Sequence, residues 1–146
     1  MDFLNSYFEE LDMSSSKCDW STMIIQAIEF HDFSNCKYLL DMLEDVPFVN
    51  KSKFQLRRKF EEMVTWFLND FLKIRSRLVP PIIGSNDHVD LMDLYLMVKR
   101  DGGNRNVTDN NLWDVVAKDM GYEYDDGEFM RIMYAMYLNV LVYYYC

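Results

Sequence analysis

Apolar residues recur along most of this chain at steps of three, four and seven, the spacing that places them on one side of an α-helix. The longest stripe runs from Ser52 to Leu78 through Phe60, Met63, Val64, Phe67, Leu68, Phe71, Leu72 and Leu78, and Pro80-Pro81 is expected to stop it. A loop from Val79 to His88 follows. Val89 to Lys99 reads as the next helix, with Leu91, Leu94, Tyr95 and Val98 inward, Asp90 placed to cap it, and Gly102-Gly103 ending it. Thr108 is expected to cap a helix over Asp109 to Met120, with Leu112, Trp113, Val116 and Met120 apolar and Gly121 as terminator. A last helix is predicted from Gly127 to Tyr144, apolar almost all round near its end. That pattern fits burial between other helices, or an edge awaiting a partner.

The front of the chain is less regular. Ser21 is placed to cap a helix over Thr22–Phe30, with Ile24, Ile25 and Ile28 on one side. A second short helix is predicted over Ser34–Leu43, with Tyr38, Leu39, Met42 and Leu43 apolar, and Pro47 is expected to end it by disfavouring helix at Val46. No segment alternates with period two for long, so the fold class is all-α. The organisation expected is an N-terminal segment of one or two short helices over residues 1–50, of no recognisable chemistry, and a helical domain over 51–146.

Composition narrows the function. With 146 residues, half of them hydrophobic, the chain is about one domain and can bury a sizeable core. No apolar run is long enough to span a membrane, and the acidic start MDFLNSYFEELD is not a secretory signal. Cys18, Cys36 and Cys146 fit neither a disulfide framework nor a zinc site, so a reducing compartment is the default. Catalysis is not expected: His31 and His88 are the two histidines, no nucleophile motif or phosphate loop occurs, and neighbouring carboxylates such as Glu61-Glu62 do not share a helix face. No cofactor is implied. The net charge of −9 opposes non-specific attraction to nucleic acid, so any such function needs a local basic surface. The densest basic cluster is Lys51, Lys53, Arg57, Arg58 and Lys59, read as a solvated helix face partly offset by Glu61 and Glu62.

The order Pro81-Ile82-Ile83-Gly84, Val89-Asp90-Leu91, Leu94-Tyr95, Val98, Gly102-Gly103, Val107, Trp113, Val116-Ala117 and Gly121, followed by Met130-Arg131-Ile132-Met133-Tyr134 and Leu138, resembles the ARID family, the AT-rich interaction domain. The resemblance covers about residues 60–144 and looks closest to plant members. It implies a bundle of about six helices with an embedded helix-turn-helix, and binding of double-stranded DNA, AT-rich, weakly and with low sequence selectivity. It also implies a nuclear role in transcription regulation and chromatin. In that scheme Trp66–Leu78 belongs to the first helix and Val79–His88 is a DNA-facing loop. Thr108–Met120 opens the helix-turn-helix, Gly121–Asp125 is its turn, and Asp126–Tyr137 is the recognition helix.

The residues available for DNA are Arg75 and Arg77 at the end of the first helix, and Ser85, Asn86 and His88 in the first loop. Lys99, Arg100, Arg105 and Asn106 flank the glycine turn. Lys118 precedes the helix-turn-helix corner, Tyr124 lies in the turn, and Arg131 sits one turn into the recognition helix. Two departures from the family pattern weaken phosphate affinity. The recognition turn carries Glu123, Asp125, Asp126 and Glu128, and Asn110-Asn111 stands where a cation often precedes the tryptophan. The acidic turn is also what a helix N-terminus favours. The alternative is therefore an ARID-like module that has lost DNA binding and engages protein through its apolar C-terminal helix, Val140 to Tyr144.

Overall fold

The computed structural model describes residues 20–83 and 87–146. Ser85 and Asn86, expected in the first loop, and Cys18 lie outside the described residues. The chain divides into two compact units, Met1–Lys59 and Phe60–Cys146.

In the first unit, α1 (Trp20–Ala27), α2 (Phe33–Met42) and α3 (Val46–Lys51) precede the start of α4 (Lys53–Trp66). Ile25, Ile28, Cys36, Leu39, Leu40, Val49 and Leu56 are buried, whereas Ile24 and Tyr38 are exposed, which narrows the two expected stripes. The expected helices shift because other residues cap them. Asp32 caps α2: its carboxylate accepts from the Ser34 amide at 2.9 Å, while the Asn35 side chain accepts from the Asp32 amide at 3.1 Å. Pro47 does not end a helix. Asp45 accepts from the Phe48 amide at 3.1 Å, and Pro47 sits in the first turn of α3, where a missing N–H costs nothing.

In the second unit, α4 passes into a π-helical turn, Phe67–Phe71, in which the Leu72 amide reaches back five residues to the Phe67 carbonyl. The expected helix to Leu78 ends here instead. Lys73 takes a left-handed φ of 64°, and the Arg75 side chain donates to the Asn69 carbonyl at 3.1 Å. The stop is thus a left-handed C-terminal residue, well before Pro80-Pro81. The first loop contains a minimal antiparallel pair, β1 (Ile82–Ile83) with β2 (Asp87–His88), too short to leave a period-two signal.

Helix α5 (Leu91–Arg100) is capped by Asp90, which accepts from the Asp93 amide at 2.9 Å, and buries Leu91, Leu94, Tyr95 and Val98 as expected. Gly102 and Gly103, with φ of 100° and 96°, reverse the chain. The helix expected from Asp109 is two helices, α6 (Asn104–Asp109) and α7 (Trp113–Asp119). Asn111, at φ 56°, breaks the run, a conformation asparagine tolerates better than most residues. Thr108 therefore closes α6 and caps nothing. Its hydroxyl accepts from the Trp113 indole N–H at 3.0 Å and donates to Asn104 at 3.1 Å. A 3₁₀ turn, Tyr124–Asp126, leads into α8 (Gly127–Tyr137). The last helix is also split: Leu138, at φ −121°, separates α8 from α9 (Asn139–Tyr145).

Helix α8 packs on α5, α7 and α9. Its inward face is Met130, Met133, Tyr134 and Tyr137. The Trp113 and Tyr134 rings lie 5.9 Å apart, and Phe60 meets Tyr95 at 5.6 Å. The all-α expectation holds, apart from the short hairpin.

Candidate nucleic-acid interface

Two helices joined at a tight corner form the helix-turn-helix. Gly121, at φ 94°, ends α7 and turns the chain. At the other side of the corner Gly127 lets the start of α8 approach α7 closely. A Cβ there would fall 2.7 Å from the Asp114 amide nitrogen and 2.9 Å from its Cα. The inward residues of α8 leave Glu128, Arg131, Ile132 and Ala135 on the solvent side, one helical face by their spacing. Ile132 is 40% exposed. This face carries one cation, one carboxylate and two small or apolar side chains, so its net charge is near zero.

The cations expected near DNA have varied surroundings. Arg131 forms a charge-assisted pair with Glu128, which raises the guanidinium pKa and holds the carboxyl below its ordinary value, the mutual hydrogen bond being the main cause. Arg100 donates to Asp101 at 3.0 Å and to Asp119 at 2.7 Å, so two carboxylates surround one cation and pin the ends of α5 and α7 together. Arg105 faces Asp109 at 3.9 Å but is 95% exposed. Arg75 reaches Asp70 at 4.0 Å. Arg77 is half-buried and donates to the Met136 carbonyl, and the neighbouring Leu78 carbonyl accepts from the Tyr137 hydroxyl at 2.6 Å. Contrary to the expectation from the sequence, neither arginine ends the first helix, which stops at Phe71. Both lie in the irregular segment after it, and Arg77 tethers that segment to α8.

Two lysines rest over rings. The Lys118 ammonium lies 5.6 Å from the centroid of Tyr124, and Lys99 lies 5.9 Å from that of Tyr95. Tyr124 is itself exposed, so Lys118 and Tyr124 present a cation and a ring side by side at the corner. Asn106 is occupied by structure: its side chain donates to the Asp101 carbonyl at 2.7 Å and accepts from Asn110 at 2.8 Å. His88 is exposed on β2.

One feature escaped the sequence reading. Tyr122 donates to the His88 carbonyl at 3.5 Å and is half-buried. Burial, then Asp87, Asp90, Asp93 and Asp126, all raise its pKa. Asp87, Asp90 and Asp93, distant in sequence, and Asp126, four residues on, thus all act on one phenol. Of the acidic turn itself, Asp126 accepts from the Glu123 amide at 3.1 Å and Glu128 is paired, so two of the four carboxylates have local structural work. Among the described residues no cluster of His, Cys, Asp and Glu could hold a metal ion, and no helix is long and apolar enough to cross a membrane.

The sequence matches the family described as the ARID/BRIGHT DNA binding domain over residues 28–145, a span that begins well ahead of the motifs near residue 60. A relative, AT-rich interactive domain-containing protein 1 of Arabidopsis thaliana, is 28% identical over 116 residues, covering 74% of this chain and 21% of that protein. The chain thus spans about a fifth of that relative's length. No solved structure matches. A helix-turn-helix with a solvent-facing second helix, built on the same glycine, tryptophan and tyrosine anchors, accords with that match, and the chain belongs to the ARID family of DNA-binding domains.

Proposed function

We propose that residues 51–146 serve as a DNA-binding domain of a nuclear regulator of transcription or chromatin, with weak affinity and low sequence selectivity. The observation that carries this reading is the solvent-facing stripe Glu128, Arg131, Ile132 and Ala135 on the second helix of the helix-turn-helix. In the major groove, Ile132 and Ala135 suit thymine methyl groups, which favours AT-rich sites. Lys118, Lys99 and Arg105 supply phosphate contacts, with His88, Ser85 and Asn86 at the first loop. Tyr124 stacks beside Lys118 to orient it. Arg75, Arg77, Arg100, Arg131 and Asn106 contribute less, because each is held by a carboxylate or a backbone carbonyl. Weak selectivity follows from a recognition face with few hydrogen-bond donors.

The test is fluorescence anisotropy of AT-rich and GC-rich duplexes at low and high salt. Two to four phosphate contacts give a slope of log K against log salt of about −2 to −4, hence a loss of about tenfold to a hundredfold between 50 and 200 mM. No binding to either duplex at the lower salt would refute the proposal. The second reading, a module that has lost DNA binding and engages protein through α9, is favoured by the carboxylates around Tyr122 and the paired arginines. A carboxylate about 4 Å from a phosphate costs about 1 kcal/mol even in water.

A further inference from the structure

Two side-chain hydrogen bonds join the irregular segment after the first helix to the far end of α8, the second helix of the helix-turn-helix. The Arg77 guanidinium donates to the Met136 carbonyl, and the Tyr137 hydroxyl donates to the Leu78 carbonyl at 2.6 Å. Both bonds bridge 59 positions of sequence. Consecutive residues of one segment thus meet consecutive residues of the other, with donor and acceptor exchanged, so direction is fixed as well as distance. Met136 lies in the last turn of α8, where carbonyls lack intrahelical partners and the helix dipole favours a cation. Neither side chain is placed to touch DNA. Tyr137 is 4% exposed, and Arg77 is half-buried with its guanidinium on backbone.

The segment they hold leads into the first loop. From Leu72 to Val79 the chain forms no regular element, and Leu78 is 56% exposed, so its side chain anchors little. Pro80 and Pro81 follow, and their fixed φ angles stiffen the connection to β1. Beyond the hairpin, Val89 is fully buried and its amide donates to the Pro81 carbonyl at 2.8 Å, which closes the base of the loop. That anchor sets where the hairpin begins. The bonds at Arg77 and Leu78 set how the strand entering it lies against α8. Ile132, in the solvent-facing stripe, is one turn, about 6 Å, before Met136.

We propose that Arg77 and Tyr137 are positioning residues for DNA binding: they latch the first loop to the recognition helix, so that loop and helix meet one duplex in a fixed relation. This rests on the DNA-binding reading above. Without the latch the loop is ordered only when the duplex binds, and that ordering is subtracted from the affinity. The number of phosphate contacts, and with it the salt slope, stays the same.

The test compares Tyr137→Phe, Arg77→Met and Lys118→Met in the full chain. Tyr137→Phe deletes one buried hydroxyl and changes no charge. Arg77→Met keeps an aliphatic stem and removes the donors. If Arg77→Met does not fold, Tyr137→Phe carries the test alone. Anisotropy with the duplexes is read from about 50 to 200 mM salt, at a temperature where circular dichroism shows each variant folded, so that lost stability by itself does not move affinity. Amide hydrogen exchange is read by mass spectrometry without DNA. Tyr137→Phe and Arg77→Met should each weaken duplex binding about two- to tenfold, the worth of one hydrogen bond, at the parent's salt slope. Lys118→Met should lower the slope by about one. Exchange should quicken over residues 77–89 in both latch variants and not in α5. Unchanged affinity in both overturns the proposal, and so does unchanged exchange over 77–89. A slope lowered by about one in Arg77→Met, with Tyr137→Phe like the parent, makes Arg77 a phosphate contact and also overturns it. A parent that binds neither duplex overturns the proposed function and the affinity role with it. A parent that binds, with both variants matching it, overturns the latch alone, so the two failures are distinct.

Discussion

Replacing Gly127 by alanine sets two physical effects against each other. The residue has ordinary helical angles, φ −57° and ψ −43°, so no backbone strain demands glycine. Helix propensity alone predicts that alanine stabilises, by up to about 1 kcal/mol. The space around it predicts the opposite. The added Cβ would overlap the Asp114 carboxylate and lie 2.7 Å from its amide nitrogen and 2.9 Å from its Cα. The carboxylate can swing away, but the backbone atoms belong to α7 and move only if the whole helix is displaced. Overpacking of this kind costs about 1–3 kcal/mol. The net expectation for Gly127→Ala is destabilisation, which in a domain of this size lowers Tm by roughly 3 °C per kcal/mol. Gly121→Ala is the comparison: nothing lies within 4 Å of its Cβ position, and its cost comes from the φ of +94° alone. Differential scanning calorimetry of the two variants beside the parent decides the matter. An unchanged or raised Tm for Gly127→Ala would show that α7 and α8 do not approach each other this closely, and the described corner of the helix-turn-helix would be wrong.

Tyr137→Phe removes the hydroxyl that donates to the Leu78 carbonyl and should cost about 1 kcal/mol by urea unfolding, because a half-buried carbonyl loses its donor. A cost near zero would mean that water replaces the hydroxyl there. Glu128→Gln should tighten duplex binding a few-fold at low salt by freeing Arg131 and removing a carboxylate from the recognition face; weaker binding in anisotropy would refute that role. Burial pushes the Cys36 thiol up to about 12, so iodoacetamide at pH 8 should modify exposed Cys146 and spare Cys36 in the folded protein, as read by peptide mass spectrometry. The hydrogen bonds from the Ser34 side chain and amide hold the Asp32 carboxyl below its ordinary 3.8. A lowered folded-state value stabilises above 3.8 and is lost as pH falls through that lower value. Asp32→Asn should therefore flatten the acid limb of stability, and an unaltered limb would count against the cap.

Much of the helical core was readable from spacing. The inward positions Leu91, Leu94, Tyr95 and Val98 are all buried, and Asp90 caps as expected, because both effects depend on neighbours within one or two turns. The motifs from Pro81 to Leu138 sufficed for the family, since glycine turns and large aromatic anchors keep their order whatever the surface carries. Helix boundaries were less legible. Lys73 and Asn111 stop helices by adopting left-handed angles, which asparagine favours more than most residues but lysine does not announce in sequence. Pro47 begins a helix where it was expected to end one, because Asp45 is placed to cap it. The site depended most on tertiary structure. That Arg100 is shared with Asp119 as well as with its neighbour Asp101, that Arg77 is spent on the Met136 carbonyl, and that Asp87, Asp90 and Asp93 act on Tyr122 all join residues distant along the chain. Periodicity reports which face of a helix is apolar. The ion partners of an exposed cation are set by which chain segments folding brings within a few ångströms, and the charge open to DNA follows from that placement.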